Sequence, residues 1–163
     1  MQMKSGRLAI LAISLFTATM STASAAPATA NGPAALALAG VVALYSPLLT
    51  ADEREAVSAF FVGQSGVRYA RKISVTADKI VCRVSNVDLT ARSCELTFRG
   101  KKQTIGGRRA SEVFATEALA GVASDGAAGS VFESLSNLNC TLDPKAIKQK
   151  DGSGANCTFE PGN

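Results

Sequence analysis

The chain has 163 residues, with 17 Lys and Arg against 13 Asp and Glu, four cysteines, and neither histidine nor tryptophan. The absence of histidine removes Ser-His-Asp and Cys-His nucleophile activation, together with the commonest zinc ligand. With Tyr45 and Tyr69 as the two tyrosines, the stacking platforms that hold sugars or single-stranded nucleic acid are poorly supplied.

Lys4 and Arg7 precede the uncharged apolar run Leu8 to Phe16, and the small-residue stretches Ala23-Ser24-Ala25 and Ala28-Thr29-Ala30 follow it. This is the order of a secretory signal peptide, with an apolar run about half the ~20 residues that a spanning helix needs. The organisation expected is a leader at residues 1–25, cleaved after Ala25, and one exported domain at residues 26–163, periplasmic or secreted. A bacterial periplasm is the first expectation. No cysteine precedes Cys82, so no lipid-modified cysteine would tether the mature N-terminus.

Without Lys4 and Arg7 the formal charge falls to +2, and it is unevenly spread. Residues 68–109 hold 11 basic and three acidic side chains, whereas residues 26–67 sum to −2 and residues 110–163 to −4. A basic middle between acidic flanks can focus an anionic ligand.

The uncharged stretch Pro33 to Tyr45 has the length of a buried helix and is too short for a membrane span, and Pro47 closes it. Thr50 and Glu53 stand at capping-box spacing ahead of a second helix, with Ala56, Val57, Phe60 and Phe61 on one face. The period then changes to two. Ile73 and Val75 alternate, Ala77-Asp78 reads as a turn, and Ile80, Cys82 and Val84 share one face of the next strand. Cys94, Leu96 and Phe98 share a face in the same way, and a hairpin through Gly100-Lys101 would bring Leu96 toward Ile105. A third helix from Arg108 should end at Gly121, ahead of a glycine-rich loop from Ser124 to Ser130. In the last segment Leu138, Cys140 and Leu142 alternate, and Cys157 shares a face with Phe159. Asp143 and Pro144 suit the start of a short helical excursion between them.

Four cysteines in a short exported chain point to two disulfides. Pairing Cys82 with Cys94 sets Ile80 opposite Leu96, and pairing Cys140 with Cys157 again sets apolar beside apolar. The intervening counts of 11, 45 and 16 residues lack the close pairs of a zinc site, so neither a metal nor another cofactor is expected. The order of elements argues for an α+β fold: an antiparallel sheet, drawn as a four-stranded meander plus a C-terminal cysteine hairpin, with two N-terminal helices and one central helix. The repeated Asn139-Cys140-Thr141 and Asn156-Cys157-Thr158 fit the N-x-T glycan-acceptor pattern. Pairing the cysteines explains the repeat without a glycan, because it sets Asn139 opposite Thr158 and Thr141 opposite Asn156, cysteines inward and polar neighbours outward.

For function, Arg99, Lys101, Lys102, Arg108 and Arg109 bracket one tight turn and a helix start, and are expected to lie close together. Such a cluster suits phosphate, sulfate, uronate or lipid head groups, and the ligand expected is an anionic one or an envelope polymer. The alternative is a protein-partner or hydrolase-inhibitor module presenting the disulfide-tied loop 85–93, with Asp88 and Arg92 as contacts. A histidine-free carboxylate hydrolase ranks below both, since Glu112 and Glu117 are five apart on a helix and do not share a face. The expectation is a binding protein and not an enzyme, with no nucleic-acid partner, because recognised modules and interleaved aromatics are missing.

Overall fold

The chain forms six strands, most of which bury one face through alternation of apolar and polar residues. In the computed structural model, which describes residues 26–61, 69–84, 91–119, 132–146 and 153–162, they form one antiparallel sheet. The chain order is β1 (Ala28–Asn31), α1 (Gly32–Tyr45), α2 (Ala51–Phe61), β2 (Ile73–Val84), β3 (Ala91–Phe98), β4 (Lys101–Gly106), α3 (Arg108–Leu119), β5 (Phe132–Leu142) and β6 (Ala155–Pro161). Across the sheet the order is β1-β6-β5-β2-β3-β4. This is the α+β class the sequence implies, with three helices and both expected disulfides, Cys82–Cys94 and Cys140–Cys157.

One face of the sheet is covered and the other meets solvent. The covered face carries Ile73, Val75, Ile80, Leu96, Phe98 and Leu142, each with at most 1 % exposure. Over it, α1 packs on β6, β2 and β5, α3 packs on β3 and β4, and α2 packs on α1. Because α1 is enclosed by both other helices and the sheet, seven of its residues are buried, over about half of its circumference, and Leu44 lies on the opposite side. Both disulfides lie on the covered face: Cys157 Sγ sits 3.4 Å from the Ala35 carbonyl of α1, and Cys94 Sγ sits 3.5 Å from the Ala110 carbonyl of α3.

The capping box forms as its spacing implies. Thr50 Oγ1 accepts the Glu53 N–H at 3.2 Å, and Glu53 Oε2 accepts the Thr50 N–H at 2.9 Å. That backbone bond, with help from the Thr50 hydroxyl, holds the Glu53 carboxyl below the usual carboxylate range. The start of α2 is thereby fixed, with Ala56, Val57 and Phe60 turned into the core.

Two local expectations fail. No turn forms at Ala77-Asp78: residues 73–84 are one strand, flanked by β5 and β3, so the meander has three strands and not four. What reads as a turn is a slip in phase. Buried positions are odd-numbered from Ile73 to Ala77 and even-numbered from Ile80, with Asp78 and Lys79 both exposed between. The neighbour β5 slips in step, from Leu135 to Leu138, so the ladder keeps one register from Ile73↔Leu142 to Arg83↔Phe132. Against β6, β5 bulges by one residue here, and Asn137 takes φ 53, a left-handed conformation that asparagine tolerates.

The second correction concerns the hairpin tip. The turn is Arg99-Gly100, not Gly100-Lys101, so Phe98 pairs with Lys101 and Leu96 with Gln103 rather than Ile105. A type I′ hairpin turn, which matches the strand twist, needs positive φ at both central positions, supplied here by Arg99 at 47° and Gly100 at 76°. The Asp78 carboxylate accepts the Gly100 N–H at 2.8 Å, which ties this tip to β2. Finally, β1 was not expected; it pairs with β6 from Ala28↔Phe159 to Asn31↔Asn156.

Candidate functional site

On the solvent face, strand register sets side chains in rows. One row runs Glu160, Ser136, Lys79, Thr97 and Lys102 across β6, β5, β2, β3 and β4. The next runs Val81, Glu95 and Thr104, and the next Arg83, Ser93 and Gly106. Val81, Arg83, Ser93, Glu95 and Thr104 line a polar depression of about 270 Å³. Beside it Lys102 Nζ pairs with Glu95 Oε1 at 2.9 Å, a surface contact of small energetic weight.

The basic residues do not form one cluster. Arg99 and Lys101 sit at the hairpin tip, whereas Arg108 and Arg109 follow the far end of β4, a six-residue strand about 20 Å long. Arg108 pairs with Glu112 at 3.0 Å along its own helix. Arg99, Lys101 and Arg109 make no ion pair among the described residues. In exchange the sheet brings Lys79 into the row of Lys102, with Thr97 between them, so the two cations stand two strand spacings apart, roughly 10 Å. Lys79 and Arg83 belong to the basic middle of the sequence, where no motif marks them. Their signal is alternation in β2, which turns odd positions after the slip toward solvent.

At the other end of the face lie the two Asn-Cys-Thr segments, paired as expected with Asn139 opposite Thr158 and Thr141 opposite Asn156. Their rows extend through β1 and β2. The first is Asn31, Asn156, Thr141 and Ser74; the second is Thr29, Thr158, Asn139 and Thr76. Just past the first row Lys72 pairs with Asp143 at 3.4 Å. The Lys145 N–H, and after it Lys72, keep the Asp143 carboxyl below its usual range.

Of the disulfide-tied loop 85–93, residues 91–93 belong to β3, while residues 85–90, Asp88 among them, and the Arg92 side chain lie outside the described residues, as does the glycine-rich loop 124–130. Glu112 is exposed while Glu117 is only 1 % exposed, consistent with a five-residue separation that puts them on different faces of the helix. Among the described residues no group of three His, Cys, Asp or Glu could hold a metal ion, and no helix is long and apolar enough to cross a membrane. No protein-family model, curated protein or solved structure matches this chain.

Proposed function

We propose that this is an exported, disulfide-stapled binding protein, not an enzyme, that engages an anionic ligand or envelope polymer at the tip of the β3–β4 hairpin. The observation that carries the reading is the grouping of Arg99 and Lys101 at that tip, without ion pairs among the described residues, next to the Lys79–Lys102 row. Cations held on a rigid hairpin and left without carboxylate partners are available to carboxylate, sulfate or phosphate.

Retention on an anionic matrix tests this. R99E/K101E and R108E/R109E change the net charge equally, so the comparison separates a local patch from overall charge. The wild-type protein should elute at higher salt than a +2 protein of its size, R99E/K101E should lose that excess, and R108E/R109E should keep most of it. Equal losses in the two variants would reject the hairpin tip as the site. Melting temperatures within a few degrees of wild type would show that both variants fold.

Export gives a separate expectation. The leader reading offers two small-residue cleavage sites, and cleavage after Ala30 would remove all of β1 except Asn31, with Ala30 itself only 5 % exposed in the core. Cleavage after Ala25 leaves the strand whole. The intact mass of protein recovered from the exported fraction should therefore correspond to a chain beginning at Ala26, and a chain beginning at Asn31 would contradict this.

A further inference from the structure

The solvent face of the sheet divides by charge. The two rows across β1, β6, β5 and β2 hold eight side chains, all Asn, Thr or Ser, seven of them exposed and Thr76 half-buried. Charged side chains lie beyond them at both ends: the Lys72–Asp143 pair past the first row, and Asp78, Lys79, Arg83, Glu95, Lys102 and Glu160 past the second. Asparagine is depleted in strands, yet it fills three of these eight positions. The side chains are also tied together: Ser74 Oγ donates to Asn139 Oδ1 at 3.4 Å, Asn156 Nδ2 donates to Asn31 Oδ1, and Thr158 Oγ1 donates to the Asn139 carbonyl at 3.5 Å. Beneath them the central strands are crosslinked by Cys140–Cys157. Short side chains already ordered in this way lose little freedom when they bind.

We infer that this grid is a second contact surface, which takes the hydroxyl-rich chain of an acidic polysaccharide whose carboxylates meet the hairpin tip. The inference rests on the anion-binding reading above and narrows its ligand. Continuity supports it, because Thr76 of the second row lies two residues along β2 from Asp78, whose carboxylate holds the Gly100 N–H of the tip. The second uncharged row thus runs up to the cations. Amides and hydroxyls both donate and accept, which matches sugar hydroxyls, while the absence of charge suits the neutral stretches between carboxylates. With no aromatic platform each contact is weak, and affinity must come from repetition along the polymer. A protein partner would find no aromatic or apolar anchor in the grid. A nucleic acid would find no cation there to neutralise phosphate.

Affinity electrophoresis of the full, oxidised chain through polygalacturonate, at low salt and at salt that screens exposed charge, tests the grid. The variant T76V/T141V/T158V removes three hydroxyls while keeping residues that favour strands, and its melting temperature serves as the folding control. Wild type should be retarded at both salts, and the valine variant should bind about tenfold more weakly at high salt. R99E/K101E should lose mainly the low-salt component. If the valine variant behaves as wild type at both salts, the grid is refuted and the hairpin reading stands. If wild type is not retarded at either salt, the polysaccharide inference falls, and the hairpin reading is decided separately by retention on the anionic matrix.

Discussion

Replacing Cys140 and Cys157 with alanine should lower the stability of the oxidised protein by about 3 kcal/mol, and replacing all four cysteines should lower it by roughly 6 kcal/mol. The bridges close loops with sequence separations of 17 and 12 residues, so crosslinking removes similar chain entropy from the unfolded state at each site. The doubled loss matters because a domain of this size has a margin of only about 5–15 kcal/mol. Alanine also leaves space beneath α1 and α3, where Cys157 and Cys94 are now in contact with helix carbonyls. Urea denaturation with and without reductant measures the effect. The four-cysteine variant should be largely unfolded under conditions in which either two-cysteine variant still folds. Loss of less than about 1 kcal/mol from each pair would show that the sheet register holds without its crosslinks.

Why these bridges were legible in the sequence, and other contacts were not, follows from the physics of strands. A one-residue slip in register turns every side chain to the opposite face, so matching Ile80 with Leu96 and Cys140 with Cys157 leaves little freedom. The same rule misleads at Ala77-Asp78. A phase slip shared by β2 and β5 looks like a turn when β5, with Asn139 65 residues beyond Ser74, cannot be placed beside β2. Four residues of β1 carry too little alternation to be read as a strand at all. The candidate site suffers most from this limit. Arg99 and Arg108 are near in sequence but fall at opposite ends of β4, whereas the uncharged grid draws its two rows from residues between Thr29 and Thr158. Closeness in sequence is a guide to closeness in space only within a turn of helix or across a tight hairpin.

Two single substitutions measure whether the apolar segment Pro33 to Tyr45 serves the core or an external interface. Leu38 is fully buried in α1, the helix that packs against the sheet, α2 and α3 together. Leu38→Ala should therefore cost about 3–5 kcal/mol, since neighbours fixed on several sides cannot collapse into the space left behind. Leu44, on the same helix, is 61 % exposed, and Leu44→Ala should change stability by no more than about 0.5 kcal/mol. The contrast is informative because both residues have the same chemistry and the same helical propensity, so only burial differs. An isolated exposed leucine is ordinary on a protein surface and does not make a docking patch. An interface helix would behave in the opposite way, with Leu38→Ala tolerated in the isolated chain. Paired urea midpoints with unchanged slopes would show a change in stability alone, and a Leu38→Ala loss below about 1 kcal/mol would move α1 out of the core.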